Sequence, residues 1–168
     1  MPLPGYNTPK LTEFLNGNKR VMARVIDIVD GDTIFIVFLF PSTNLYLKFD
    51  VRIVGIDCCE SHGENRELGQ LAKMFSQRFF TGMNFTTRKS IQNHLEVNEV
   101  LVEAELAGID KYGRLLATIY KDNINYGDAI KDAHLAYPYF GKTKLTTSLQ
   151  RVSLLGGESS STQISQSS

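Results

Sequence analysis

Apolar and polar positions in the first third of the chain follow a pattern that predicts three β-strands. Residues 21 to 29 are rich in β-branched side chains, and the Asp-Gly-Asp stretch at 30 to 32 is a turn signal. Residues 33 to 40 are nearly all apolar, which predicts a strand covered on both faces. From 45 to 54 apolar and polar residues alternate, as in a half-buried strand. Short turns between these segments predict an antiparallel meander.

The period then changes to helical spacing. Residues 64 to 81 place Leu68, Leu71, Ala72, Phe75 and Phe79 on one stripe, and Gly82 suits the C-terminal cap. Residues 83 to 98 are polar and predict a long loop. The remaining predicted elements are two strands at 99 to 106 and 114 to 120, a short helix at 125 to 135 capped by Asn125, and a last helix with Leu145, Leu149 and Val152 that ends at Gly156.

The predicted order is three strands, a helix, two strands and two helices. We therefore predict an α+β fold that is mainly a β-barrel: a five-stranded Greek-key barrel of the oligonucleotide-binding (OB) type with three helices. Three prolines among the first nine residues predict an irregular N-terminal arm over 1–20. The Ser-rich stretch 156–168 has no apolar face and predicts a disordered tail. The folded domain is expected to span 21–155.

Composition and charge narrow the range of functions. The 18 Lys and Arg residues balance 18 Asp and Glu residues, so a protein that coats nucleic acid through bulk positive charge is disfavoured and a local cationic spot is favoured. No apolar run is long enough to cross a bilayer, and no secretory signal is visible. The two cysteines, Cys58 and Cys59, are adjacent and are interpreted as reduced thiols, which favours an intracellular, cytoplasmic compartment.

Two acidic residues suggest a cation site. Asp32 follows the turn at the start of the second strand, and Asp57 lies in the loop that ends the third strand. If these strands are hairpin partners, the two carboxylates converge at one end of the sheet, and carboxylates with a backbone carbonyl and waters bind calcium. The alternative is that both aspartates only cap turns.

Two arginines suggest a phosphate site. Arg52 interrupts an apolar-rich strand five residues before Asp57, and Arg114 lies where a hairpin loop enters the fifth strand. Two guanidinium groups that converge on one phosphate would stabilise its charge in a transition state. The alternative is a pair of solvent-facing arginines with acids nearby.

Three sequence blocks, in this order, resemble the signature of the staphylococcal nuclease (thermonuclease) family. The blocks are Val-Asp-Gly-Asp-Thr at 29–33, Arg-Ile-Val-Gly-Ile-Asp-Cys-Cys-Glu at 52–60, and Asp-Lys-Tyr-Gly-Arg at 110–114. The resemblance covers roughly residues 21 to 145, and three ordered blocks are far harder to match by accident than one motif.

The resemblance implies a role for each matching residue. Asp32 and Asp57 would bind Ca²⁺ together with the backbone carbonyl of Cys58, and Glu60 would position or deprotonate the attacking water. Arg52 and Arg114 would hold the scissile phosphate. The implied substrate contacts are Lys111, Tyr112, Tyr137 and Tyr139. The family activity is hydrolysis of DNA and RNA, preferring single strands and leaving 3′-phosphate ends, and we expect the protein to act as a monomer.

The chain also departs from the family pattern. Cys59 stands where the family usually has a proline. Without the fixed backbone angle of a proline, Glu60 would be less firmly held. The polar segment before the fourth strand looks long. Two other functions stay open: a non-catalytic OB-fold module that binds single-stranded nucleic acid, and a scaffold that recognises protein. The retained Arg, Asp and Glu set favours the nuclease, because a pure binding module has no use for the glutamate.

Overall fold

The elements of the fold are seen in a computed structural model, which describes residues 8 to 159 except 42 and 142. The strands are Arg20–Asp30 (β1), Thr33–Leu39 (β2), Tyr46–Ile53 (β3), Ile56–Asp57 (β4), Leu101–Ile109 (β5), Leu115–Lys121 (β6), Ile124–Asn125 (β7) and Tyr137–Pro138 (β8). The helices are Thr8–Asn16 (α1), Arg66–Thr81 (α2), Arg88–Val97 (α3), Tyr126–Asp132 (α4) and Thr147–Ser159 (α5). No helix in these described ranges combines the length and apolarity that a membrane span requires.

Five long strands close into a barrel. Their order is β3-β2-β1-β5-β6, and a parallel pairing between β3 and β6 joins the two ends. The barrel interior is filled by the alternating inward residues of these strands, which include Val25, Ile28, Ile34, Ile36, Val51, Ile53, Leu106, Leu115 and Ala117. Closure removes free sheet edges and buries one face of every strand. The predicted fold class, an α+β protein built on a five-stranded OB-type barrel, is confirmed.

The second strand differs in detail from its prediction. Ile34, Ile36 and Phe38 are buried in the barrel, but Phe35 and Val37 on the outer face are only half-buried. The apolar run therefore does not lie between two covering layers, because the outer layer over β2 is formed partly by long charged side chains. Lys48 Nζ lies 5.1 Å from the centre of the Phe35 ring.

The helix α2 matches its prediction closely. Its C-terminal cap is Gly82, whose φ of 76° lies in the left-handed region and whose N–H donates to the Arg78 carbonyl oxygen at 2.8 Å. Ala72 is buried against the barrel and Leu68 is buried at the start of the helix. The predicted stripe fails only at Leu71, which is 48% exposed.

The prediction of an irregular arm is wrong for residues 8 to 16, which form α1. The prolines do not prevent this helix, because Pro9 lies in its first turn, where the backbone N–H needs no intrahelical partner. Phe14 and Leu15 are buried, and the Phe14 ring packs 5.4 Å from the ring of Phe40. The arm is therefore held by the hydrophobic core.

The predicted loop over residues 83 to 98 is also wrong, because residues 88 to 97 form α3. Thr87 caps the helix: its hydroxyl oxygen accepts the Ser90 N–H at 3.1 Å, and Ser90 returns a contact to the Thr87 backbone. Ile91 and Leu95, four residues apart, are fully buried against the barrel. Two apolar residues were too few to reveal a helical period in a polar segment. With α1 and α3, the described residues form five helices where three were predicted.

The last helix has a different buried side from the one predicted. Leu149 and Val152 are exposed, whereas Leu154 is buried with Cys59 and Tyr137. The helix α5 runs to Ser159, so residues 156 to 159 of the predicted disordered tail are helical. The rest of that tail lies outside the described residues, and the domain limits of 21 and 155 stay a prediction.

Candidate active site

Three charged side chains from different strands meet at one end of the barrel. Asp32 lies in the turn between β1 and β2, Arg52 lies near the end of β3, and Asp57 ends β4. Thr33 pairs with Arg52 across the β2–β3 ladder, and the Ile53 N–H donates to the Asp32 carbonyl oxygen at 3.0 Å. These backbone contacts fix the turn that contains Asp32 beside Arg52.

The Arg52 guanidinium lies between the two aspartates. Its Nη2 donates to Asp57 Oδ1 at 2.6 Å, and its Nη1 lies 3.0 Å from Asp32 Oδ2. The Arg52 side chain is 8% exposed, so the alternative of a solvent-facing arginine is wrong at this position. Nη1 is buried and, despite its short distance to Asp32, makes no directed hydrogen bond to the described residues. An N–H group in this state can donate a hydrogen bond to an additional oxyanion.

The two aspartates are held by separate hydrogen bonds. Asp32 Oδ1 accepts the Thr33 hydroxyl and its Oδ2 accepts the Cys58 N–H, each at 3.0 Å. Asp57 is fully buried, and its Oδ2 accepts a hydrogen bond from the Tyr137 hydroxyl. Burial raises the pKa of the Asp32 carboxyl, the charge of Arg52 lowers this pKa, and the charge of Asp57 raises it. Burial is the largest of these effects, so the pKa of Asp32 lies above its ordinary value despite the positive charge beside it.

Tyr137 supports this cluster from inside the protein. It lies opposite Asp57 in the short β4–β8 pairing and is 2% exposed. Burial and the bond to Asp57 raise the pKa of Tyr137, so the hydroxyl keeps its proton, and Gln150 Nε2 donates to the hydroxyl oxygen at 3.2 Å. Tyr137 has almost no exposed surface and is bound to Asp57, so its side chain supports the cluster rather than facing solvent; the predicted substrate contact at Tyr137 stays a prediction. Tyr139 is half-buried, and its ring centre lies 6.0 Å from Arg52 Cζ.

Glu60 lies at the exposed rim of the cluster and contacts a residue that the sequence analysis missed. The Glu60 side chain is 57% exposed, and its Oε1 lies 3.8 Å from Lys144 Nζ. The same Nζ lies 3.4 Å from Asp57 Oδ1. Lys144 therefore bridges the buried carboxylate and the exposed one. Its segment follows β8 and has neither a motif nor a periodic pattern, so no sequence signal marked it.

The loop that contains Glu60 is fixed by close packing against α2. A Cβ atom added at Gly69 would lie 2.1 Å from the Glu60 carbonyl oxygen and 2.7 Å from that of Cys59. Only a residue without a side chain allows the first turns of α2 to approach this backbone so closely. Cys59 is itself buried with Leu68 and Tyr137. Packing therefore holds the loop at the position where the family usually has a proline.

The third block forms a tight hairpin around Asp110. Its Oδ1 accepts the N–H groups of Tyr112 and Arg114 at 2.9 and 3.0 Å, and its Oδ2 accepts Arg114 Nε at 2.9 Å. Burial opposes the charge of Asp110, but these hydrogen bonds outweigh it and lower its pKa. Tyr112 is 72% exposed, with Lys111 Nζ 5.1 Å from its ring centre. Lys111 and Tyr112 therefore lie at the surface, as a substrate contact requires.

Arg114 lies on the same outer face as Arg52 but outside its ion-pair cluster. Extending the parallel β3–β6 register by one pair sets Arg114 beside Asp50, two residues before Arg52. The spacing of strands and residues puts the Cα atoms of the two arginines about 8 Å apart. Both side chains point away from the core, because the residues that alternate with them are buried. The two guanidinium groups can therefore reach one ligand, although Arg114 is bound to Asp110 here.

The chemistry of the donors fits a hard cation better than a soft one. Among the described residues, no three His, Cys, Asp or Glu side chains form a group that could hold a metal ion. Asp32 and Asp57 nevertheless converge on one positive charge, and carboxylate and backbone oxygens are the ligands that calcium takes, with waters completing the shell. Burial raises the pKa of the Cys58 and Cys59 thiols, so neither is a thiolate ligand or nucleophile at neutral pH.

The barrel and the cluster of Asp32, Arg52 and Asp57 together define the class of protein, which is an OB-type barrel with a charged site at one end. The family model described as staphylococcal nuclease homologue matches residues 50–152, which is more than half of the chain. The chain belongs to this family of staphylococcal nuclease homologues. Of the candidate site residues, only Asp32 lies before the matched range.

A curated relative extends the similarity without adding a function. An uncharacterized protein of Methanocaldococcus jannaschii is 25% identical over 134 residues, which cover 76% of this chain and 62% of the relative. The chain thus spans less than two thirds of the length of that relative. The family membership supports a nuclease or nucleic-acid-binding fold, and the roles of the individual residues stay predictions.

Proposed function

We propose that the protein is a calcium-dependent endonuclease that hydrolyses phosphodiester bonds of single-stranded DNA and RNA and leaves 3′-phosphate ends. The single observation that supports this most is the buried Arg52, paired with two converging aspartates and retaining an Nη1 donor without a directed hydrogen bond. A guanidinium group fixed in this way is preorganised to bind the charge that develops on a phosphate.

Three groups would hold the cation: the carboxylates of Asp32 and Asp57 and the backbone carbonyl of Cys58. A bound calcium ion supplies Lewis-acid polarisation of a phosphate oxygen. The chain's own part is to place the two carboxylates beside each other, with a hydrogen bond from Thr33 to Asp32, one from Tyr137 to Asp57, and the Arg52 guanidinium between them. These contacts support the assignment of the cation site to this end of the barrel.

Arg52 and Arg114 are assigned to the scissile phosphate. Arg52 is rigid and buried, whereas Arg114 is about one third exposed and exchanges a contact with Asp110 for one with the substrate. Glu60 is assigned as the group that positions or deprotonates the attacking water, because it is the exposed carboxylate beside the cluster. Lys111, Tyr112 and Tyr139 would contact the neighbouring nucleotides.

A second function has an observation in its favour. Arg114 is bound to Asp110 and Glu60 to Lys144, so both groups are already paired with other side chains of the protein. A non-catalytic module that binds single strands on the same surface would need no rearrangement. Calcium-dependent cutting separates the two functions, because a binding module retains oligonucleotides without shortening them.

The test is digestion of heat-denatured DNA and of RNA with calcium and with a chelator. We expect cutting with calcium, none with the chelator, slower cutting of duplex DNA, and products that a ligase joins only after the 3′-phosphate is removed and the 5′-hydroxyl is phosphorylated. Glu60→Gln and Arg114→Ala should each lower the rate about 100-fold, the scale for one key electrostatic group.

Matched controls remove the same charges elsewhere on the surface. Glu64→Gln and Arg78→Ala change exposed residues that have no place in the site, and both should cut at the wild-type rate. Binding of single strands without any shortening would contradict the nuclease and support the binding module. Equal rates for Glu60→Gln and Glu64→Gln would remove Glu60 from the mechanism.

A further inference from the structure

A groove of about 600 Å³ lies between α3 and the outer face of the barrel. Its floor is one row across three strands, in which Arg24 of β1 pairs with Val37 of β2 and Val37 pairs with Lys48 of β3. Its wall is the face of α3 that contains Lys89, Gln92 and Asn93, with Ile26 completing the lining beside them. The polar segment that looked long in the sequence is therefore the wall of a groove.

The lining has the chemistry of a nucleotide site. Lys48 and Lys89 are exposed cations at the two sides of the groove, and Val37 and Ile26 give it a half-buried aliphatic floor. Cations of this kind bind phosphates, while an apolar floor suits the faces of bases. The exposed amide of Asn93 can donate to a base edge and accept from it.

Of the two acids in the lining, Asp27 is paired and buried, whereas the Glu96 side chain is exposed. Asp27 is 5% exposed, and its Oδ2 accepts Arg88 Nε and Gln92 Nε2, each at 2.8 Å. Arg24 uses Nη2 to bind the carbonyl oxygens of Leu95 and Glu96 at the end of α3, and its buried Nε makes no hydrogen bond within the described chain. In the groove, Asp27 and Arg24 are thus bound to other groups of the protein, whereas Lys48 and Lys89 present their positive charges at the surface.

The groove is continuous with the candidate active site along β3. Lys48, Asp50 and Arg52 alternate on the outer face of this strand, and Lys48 lies about 13 Å from Arg52 along it. Burial raises the pKa of Asp50; the charge of Arg114 lowers it, that of Asp110 raises it and that of Arg88 lowers it. The outer face of β3 therefore links the groove to the candidate active site through Asp50.

We infer that this groove binds a single-stranded polynucleotide several nucleotides away from the scissile phosphate, with Lys48 and Lys89 contacting its phosphates. The inference rests on the proposed function for the position of the cut. The 13 Å step is longer than one nucleotide, so only a substrate of several nucleotides reaches both places. The groove would therefore make the protein prefer long single strands to short ones.

The test compares two double variants that each lose two exposed or half-exposed lysines. Lys48→Gln with Lys89→Gln changes the groove, and Lys121→Gln with Lys131→Gln is the matched control on β6 and α4. Binding of fluorescent oligothymidylates of four and sixteen nucleotides is measured in chelator, over a range of salt. We expect the groove variant to bind the sixteen-mer roughly tenfold more weakly, with a salt slope smaller by about 1.4, and the four-mer nearly unchanged.

The outcomes separate this inference from the proposed function. Equal losses in the two double variants, or none in either, would overturn the groove, whatever the cutting assay shows. Loss of sixteen-mer binding in the groove variant alone supports the groove even if the protein never cuts. With calcium, the groove variant should cut the four-mer at the wild-type rate and the sixteen-mer more slowly, and a wild-type rate on both would contradict the inference while leaving the nuclease intact.

Discussion

The candidate active site has a buried half and an exposed half, and the two are built differently. Asp32, Arg52 and Asp57 are 13%, 8% and 0% exposed, and each is held by strands, backbone hydrogen bonds or both. Glu60 and Lys144 are 57% and 51% exposed and meet through one long ion pair. The buried half is fixed before any ligand arrives, because an unpaired charge there is costly.

The exposed half follows different energetics. An exposed ion pair contributes about 0 to 1 kcal/mol, so Glu60 and Arg114 can exchange partners when a phosphate binds. Within this one site, therefore, the exposed residues contribute to activity and little to stability, whereas the buried residues contribute to both. Changing the buried half should damage the fold and the activity together, whereas changing the exposed half should damage the activity alone.

The largest effect should come from Asp57→Ala. This change leaves the Arg52 guanidinium and the Tyr137 hydroxyl without their buried partner, which should lower the free energy of unfolding by about 3–5 kcal/mol. Glu60→Ala, the exposed counterpart, should change it by no more than about 0.5 kcal/mol. Urea unfolding of both variants measures this. Similar values for the two would show that the site has no buried half.

An intermediate effect on stability is expected from Gly69→Ala, which disrupts the packing of α2 against the loop that contains Glu60, where the two halves of the site meet. The new methyl group would overlap the Glu60 carbonyl oxygen, so the loop or α2 must move, at a cost of about 1–3 kcal/mol. In a helix interior, alanine is otherwise more favourable than glycine by about 1 kcal/mol. A loss of stability in Gly69→Ala would therefore come from the contact with the loop.

The exposed neighbour provides the control for that change. Gln70→Ala alters the same turn of α2 without meeting the loop, and it should leave unfolding and cutting nearly unchanged. Thermal unfolding and calcium-dependent cutting are measured for both variants. If Gly69→Ala proves more stable than the wild type and fully active, the loop is not held by this contact.

A small effect on stability, of the same order as that of Glu60→Ala, is expected from Lys144→Gln, which tests the exposed half of the site. The free energy of unfolding should change by less than about 1 kcal/mol. Lys144 adds positive charge beside Asp57 and Glu60, so its removal should lower the calcium concentration for half-maximal cutting by a few-fold, on the order of one partly exposed charge. Calcium titration beside Lys121→Gln measures this, and equal midpoints would assign Lys144 no influence on the cation.

Much of the fold followed from local pattern. β-Branched residues predicted β1, a continuous apolar run predicted β2, alternation predicted β3, and helical spacing with Gly82 predicted α2, because each of these patterns is local to its element. The helices α1 and α3 escaped prediction because each has few buried apolar residues. The burial of these residues, which are Phe14 and Leu15 in α1 and Ile91 and Leu95 in α3, depends on the barrel against which they pack, and the local sequence does not show it.

The sequence by itself determined the strands, the barrel class, and the three motif blocks with their charged residues. Their order and residue types are local properties of the chain, and the alternation of strands is a local physical requirement. Only the tertiary structure decided that Arg52 is buried between two aspartates, that Tyr137 supports Asp57 from inside, and that Lys144 joins Asp57 to Glu60. Those contacts join residues far apart in the chain, and closure of the barrel, which no local pattern records, brings them within bonding distance.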